Sequence, residues 1–356
     1  MKILFLILIL ITSFPIFSME PYLPETVTSQ TSDKRLSFSS GIRVIFEDSK
    51  GNYWFGSHNE GVALFDGEKL TYFTIDDGLS DNQVRTIQEH KDGSIWFGTG
   101  KGISSLDGKK ITNESPLDHQ IGFESKPLNM PYIVNNLSQN LWFNADNKPG
   151  FYKLEGQKLS YIKFPAKADS KRFNEFAVSG KIKSQNHYVW IPTYSAVLGY
   201  DGSRFQIIDD KSIEMTNSKS TLHVRSLLED SKGNLWIGNN GIGVLLKSGD
   251  KIINFSEKNG LIHPESKGSG DKSPEGTLEH VFAIEEDKPG NIWFGDRDTG
   301  VWKFDGKMIT NFSKKDGLTH NFVQTIYTDK KGVLWLGLTD GSVYLFNGRT
   351  FDRKFQ

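Results

Sequence analysis

The chain contains no cysteine. That excludes disulfides, thiolate metal sites, a cysteine nucleophile and a lipid-modified N-terminal cysteine. It leaves the compartment open, because a large exported domain needs no disulfide. An excess of either charge is also missing: 42 Lys and Arg against 43 Asp and Glu give a formal net charge of −1. No overall field therefore favours nucleic acid or an anionic membrane. The Gly-x-x-x-x-Gly-Lys-Ser/Thr, Gly-x-Ser-x-Gly, His-Glu-x-x-His and dinucleotide fingerprints are absent, and no cofactor is expected. Long apolar runs are confined to the first residues, where Lys2 precedes Ile3-Leu4-Phe5-Leu6-Ile7-Leu8-Ile9-Leu10-Ile11 and Pro15 and Ser18 follow. This run is shorter than the roughly 20 residues of a membrane helix and reads as a secretory signal over residues 1–18. The mature chain is expected to start near Met19 or Glu20 and to be periplasmic or secreted, with no membrane span after cleavage.

What the chain does have is glycine, aromatics and a period. There are 35 Gly, 25 Phe, 11 Tyr and 8 Trp in 356 residues, a composition of tight turns and pleated, packed sheets. Seven of the tryptophans, Trp54, Trp96, Trp142, Trp190, Trp236, Trp293 and Trp335, follow one another at intervals of 42, 46, 48, 46, 57 and 42 residues, taken as differences of position. One Trp per unit of about 45 residues is the signature of a repeat architecture. Trp302 lies outside the register.

Each unit reads as four short strands. In the first, Ile42-Arg43-Val44-Ile45-Phe46 is followed by the turn Asp48-Ser49-Lys50-Gly51, then Tyr53-Trp54-Phe55, Gly61-Val62-Ala63-Leu64-Phe65, the hairpin pair Asp66-Gly67 and Leu70-Thr71-Tyr72-Phe73. Asp opens such a turn by bonding back to the backbone, and Gly closes it. A four-stranded antiparallel sheet cannot bury both faces alone, whereas copies packed face to face around an axis can. The expected fold is all-β: a seven-bladed β-propeller of four-stranded antiparallel blades over residues 41–356, preceded by a lead-in at 19–40. Gly56, Gly98, Gly238, Gly295 and Gly337, two residues after the Trp, would permit close backbone approach. Units three and four, where Gln139 and His187 replace the turn Gly, are expected to form irregular blades. The last unit supplies four strands of its own, so the ring is expected to close by side-chain packing rather than by an outer strand from residues 35–38.

The pattern Val-Arg-x-Ile-x-Glu-Asp-x-x-Gly-Asn-Leu-Trp-Ile-Gly, carried by residues 224–238 and, with changes, by 42–56, 84–98 and 323–337, resembles the two-component regulator propeller repeat. That resemblance implies the extracytoplasmic sensor region of a hybrid histidine kinase. With no kinase or receiver segment after the last strand, the expectation here is a detached sensor-like propeller that binds a ligand. The Gly-Asn-x-Trp pieces are also similar to streptogramin B lyase propellers. Those carry a metal-binding Glu after Trp-Phe-Thr and catalytic histidines at the channel mouth; here Asp296 alone offers a carboxylate at the matching place.

Candidate chemistry is expected where the copies differ. The connectors 113–129, 165–177, 209–222 and 257–279 are longer than 74–83, and function gathers on variable loops held by a rigid scaffold. At the start of the inner strand one column holds Arg43, Arg85 and Arg225, and two residues earlier stand Gln83, His223 and His280. Strand alternation puts positions two apart on one side, so these residues are expected to ring the channel mouth. Such a ring suits a small polar ligand, a glycan or an anion. The competing role for the arginines is to bridge blades through Glu47, Glu89 or neighbouring carbonyls. His223 and His280 with Glu279 form the one grouping suggestive of acid–base or metal work, which keeps a lyase- or hydrolase-like enzyme as the alternative. A protein-interaction platform is the third reading.

Overall fold

The computed structural model describes residues 35–114, 137–145, 148–164, 177–185, 188–213, 221–266, 268 and 270–355. The signal segment and most of the connectors 113–129 and 165–177 lie outside the described residues. The described chain forms a seven-bladed β-propeller of seven separate antiparallel sheets, six with four strands and one, residues 141–163, with three. Blade 1 sets the pattern with β1 (Ile42–Glu47), β2 (Tyr53–Ser57), β3 (Val62–Phe65) and β4 (Leu70–Phe73), each paired with the next. The third sheet has three described strands and the fourth an inner strand at Lys183–Gln185; residues 115–136 and 186–187, where the expected irregularity of units three and four would show, lie outside the described residues.

The core is divided rather than continuous. Seven apolar clusters are present among the described residues, one between each pair of neighbouring blades, and each contains one of the seven repeat tryptophans. Trp54, for example, packs with Val62 and Phe73 of its own blade and with Val84 and Phe97 of the next. The close approach expected at the Gly after the Trp is met across these wedges. A Cβ at Gly56 would lie 2.8 Å from Val84 Cγ1, and one at Gly337 would lie 2.7 Å from Ile42 Cγ2.

The turn Asp does more than cap its turn. Asp48 accepts from the backbone N–H of Lys50 and Asn52, and its second oxygen accepts from the indole N–H of Trp54 at 3.0 Å. Asp230, Asp287 and Asp329 hold Trp236, Trp293 and Trp335 in the same way, at 2.8, 2.7 and 2.9 Å. An indole N–H deep in a wedge needs an acceptor, and the hairpin supplies it. In blade 2, where His90 replaces the Asp, Trp96 donates to Ser94 Oγ instead.

Among the described residues the ring closes without a shared strand. Tyr53 packs against Trp335 with ring centroids 4.4 Å apart and donates to Asp329 at 2.9 Å, while Lys330 N–H donates to Glu47 at 2.7 Å. Phe355 lies edge-on against Phe55 and Phe65 of blade 1. Residues 36–39 form no strand, although Phe38 joins the same wedge. Closure thus combines packing with polar links, where packing alone was expected.

Candidate functional site

The inner strands surround a central channel that opens into a cavity of about 500 Å³. In five blades the inner strand carries one extra residue against its neighbour, a β-bulge, and that residue is Arg43, Arg85, Arg225, Phe282 or Gln324. All five line the cavity. A bulge re-aims a side chain and interrupts the period-two alternation, so residues two apart across it share the lining in some blades and not in others. Of the residues two places earlier, Gln83 does line the cavity and accepts from Arg85 Nε at 2.9 Å, but His223 and His280 do not.

The histidines and carboxylates of the catalytic alternative lie off the cavity lining, and all but His223 are buried. His280 is fully buried, with Nδ1 2.8 Å from Asn240 Oδ1. His223 is half-buried, edge-on to Tyr194 at 5.1 Å. Burial pushes both imidazoles down to about 4, with Arg225 adding to the effect at His223 and Arg297 at His280. Glu279 is 1% exposed and accepts from His263 N–H at 2.7 Å and Ser266 Oγ at 2.8 Å, tying down the longest connector. Asp296 is buried and accepts from the N–H groups of His280, Asp298 and Thr299, and desolvation raises its pKa to about 6. Glu279 and Asp296 therefore spend their oxygens on backbone N–H groups and the Ser266 hydroxyl rather than on the histidine rings. Among the described residues no group of three or more His, Asp or Glu is placed to hold a metal ion.

The glutamates of the blade-bridging alternative are engaged by backbone donors. Glu89 and Glu47 sit at the far ends of their strands, where Glu89 accepts from Ser49 N–H at 2.7 Å and Glu47 from Lys330 N–H at 2.7 Å. Each thus latches the hairpin of the preceding blade. The Arg225 guanidinium lies between the rings of Tyr194 and Phe282, 5.1 and 5.0 Å from their centroids, an arrangement that fixes it by cation–π attraction. Burial lowers the pKa of Arg43 to about 10, helped by the positive charges of Arg85 and Arg225. Lys181 and Lys183 add to the lining, with Lys183 paired to Glu285 at 3.1 Å. Lys181 is open to channel water yet surrounded by protein, and that crowding, with Lys183 beside it, brings its pKa down to about 8.

Several lining residues were not singled out from the sequence. His58 and Tyr194 both stand four places after their Trp, on the loop joining second and third strands, and an alignment extended past the Trp would have placed them together. Lys181 and Lys183 belong to the weak fourth unit, where the repeat gives no register. Phe282 and Gln324 share the column of the arginines without sharing their chemistry.

The fold and its channel define a seven-bladed propeller with a cationic lumen. Its repeats are of a known kind: the two component regulator propeller model matches residues 37–59, 78–101, 218–241 and 317–340, the four units in which the pattern was read. No curated protein sequence matches the chain. Among solved structures, the extracellular domain of the putative one component system BT4673 from B. thetaiotaomicron aligns with a TM-score of 0.62 at 20% identity, over 89% of this chain and 40% of that one. A streptogramin B lyase aligns with a TM-score of 0.60 at 16% identity, over 89% and 98% of the two chains. PorZ, a bacterial surface component of the type-IX secretion system of Porphyromonas gingivalis, aligns with a TM-score of 0.57 at 18% identity, over 87% and 47%. The chain spans 40% of the length of the B. thetaiotaomicron domain. At these identities the likeness is one of fold.

Proposed function

We propose that this protein is an extracytoplasmic, sensor-like propeller that binds a small polar ligand in its central channel. The observation that carries the reading is the lining of the channel: Arg43, Arg85 and Arg225 project from bulges of three different blades into one cavity, beside Tyr194, Phe282 and Phe322. Convergent polar groups within a concave, partly aromatic site are the usual form of a small-molecule site. The repeat type supports a sensory role, and so does the likeness to the extracellular domain of BT4673. The apolar run at residues 3–11 supports export. Among the described residues no helix is long and apolar enough to cross a membrane.

A thermal-shift screen of the mature chain against neutral glycans and small anions tests the proposal. A ligand present at 100 times its dissociation constant stabilises by about 2.7 kcal/mol, a shift of several degrees. The shift is expected in the wild type and is expected to vanish in Tyr194→Ala. A screen in which nothing stabilises the wild type, or in which the shift survives that substitution, overturns the channel as the site and leaves the face of the propeller as a surface for a protein partner.

A further inference from the structure

We infer that the channel ligand is a compact anion carrying two or more negative charges, gripped by Arg43 and Arg225. The inference rests on the channel-binding reading above and narrows it to one chemistry. Among the described residues five cationic side chains, Arg43, Arg85, Arg225, Lys181 and Lys183, line the cavity against one carboxylate, Glu285. Glu285 is already engaged by Lys183. Among the described residues no carboxylate pairs with Arg43 or Arg225, and the repeat glutamates that might have done so lie at the other end of the strands.

Like charges held together in a partly desolvated site repel one another. Arg43 registers that repulsion from both Arg85 and Arg225. A neutral glycan would leave it in place, and a monoanion would offset only one of the two charges on Arg43 and Arg225. Two or more charges on a small frame answer the arrangement, and the planar guanidinium fork suits carboxylate or other oxyanion ends. The positions are rigid: Arg225 is clamped between Tyr194 and Phe282, and Phe282 is itself braced edge-on by Phe322 at 4.9 Å. Arg225 Nε is buried without a hydrogen-bond partner, a donor that the surrounding protein does not use. Gln324 Oε1 and Asn144 Oδ1, on opposite parts of the lining, are buried acceptors without a donor.

Isothermal titration of the mature chain with citrate, succinate, acetate and maltotriose, at low and high sodium chloride, tests this. Citrate is expected to bind at one site, about 10-fold or more tighter than acetate, since one further charged hydrogen bond contributes at least that factor. Its affinity is expected to fall with salt, as screening requires. Arg43→Gln and Arg225→Gln should each weaken citrate by about 10- to 100-fold, whereas Lys307→Gln, in an exposed hairpin, should not. Arg225→Lys, which keeps the charge and loses the fork, should fall between and guards against a folding defect in the glutamine variant. Equal affinity for acetate and citrate, or citrate binding indifferent to both glutamine variants, overturns the inference. Maltotriose binding that is lost in Tyr194→Ala, without binding of citrate or succinate, overturns the inference while preserving a channel site. Absence of binding by every probe overturns both.

Discussion

The hydrogen bond from a hairpin carboxylate to a wedge indole makes a measurable demand on stability, and Asp230 with Trp236 is the cleanest pair in which to test it. Asp230 is 4% exposed and accepts from Lys232 N–H, Asn234 N–H, the Asn234 side chain and Trp236 Nε1 at 3.0, 2.8, 3.0 and 2.8 Å. In Asp230→Ala the turn N–H groups can turn to water, but the indole, in a residue 3% exposed, cannot. A hydrogen bond to a charged group contributes about 1.5–3 kcal/mol, and an unsatisfied buried donor costs a similar amount. With about 1 kcal/mol more for the lost turn cap, Asp230→Ala is expected to destabilise by about 3–4 kcal/mol. Trp236→Phe removes the donor with part of the ring, at about 1–2 kcal/mol. In the double variant the carboxylate and the indole disappear together, so the losses should fall short of additive by about 2 kcal/mol. Urea titrations read by far-ultraviolet circular dichroism, with midpoints compared at unchanged slope, measure all four corners of this cycle. A coupling below about 0.5 kcal/mol would refute the view that the turn Asp is there for the Trp as much as for the turn.

Three further outcomes are expected. Gly337→Ala sets a methyl group against Ile42 and Thr325 where the ring closes, and thermal unfolding should register a loss of about 1–3 kcal/mol; an unchanged midpoint would show that the seam yields freely. Stability should also fall between pH 7 and 5. His223 and His280 are held at about 4, so below about 6.5 the unfolded chain takes up protons that the native state refuses, and native stability is lost as pH drops. Asp296, raised to about 6, acts in the opposite sense by binding its proton earlier in the native state, which leaves a net loss of roughly 1–3 kcal/mol at pH 5. A urea midpoint that holds or rises at pH 5 contradicts this. Finally, Glu279→Gln should loosen the connector that Glu279 ties through His263 and Ser266. Hydrogen exchange should accelerate at 261–279 with the blade strands unaffected, and equal protection in variant and wild type would rule out the tie.

The Trp column was legible because each copy fills the same wedge, and a physical demand repeated seven times leaves a repeated letter. The turn Asp was legible as a turn residue, but its bond to the indole was not, since an offset of six residues has no meaning until the hairpin folds back. The arginine column led to the channel, where all three arginines stand. The histidines beside it lie outside the cavity lining. Alternation assumes a regular strand, and the bulge at Arg225 and Phe282 shifts the phase between His223 or His280 and the residue two places on. Nothing in the composition of Val224-Arg225-Ser226 announces a bulge; it follows from the pairing with Gly238. Glu279 looked chemical because it neighbours a histidine in sequence, yet the connector it holds takes up both of its oxygens.

The seam between the first and last blades has a consequence for how such a molecule can change over generations. Because each described sheet is cut from one continuous stretch of chain, an insertion or deletion of one whole unit would leave every remaining sheet intact. A ring clasped by a strand borrowed from the opposite end lacks that freedom, since its last sheet is always assembled from two distant segments. Here a gained unit need match only the wedge on either side: an indole, a glycine and a neighbour's valine or isoleucine. Blade number is then set by how the wedges taper, and the lumen, with whatever charges its bulges carry, would widen or narrow by whole steps.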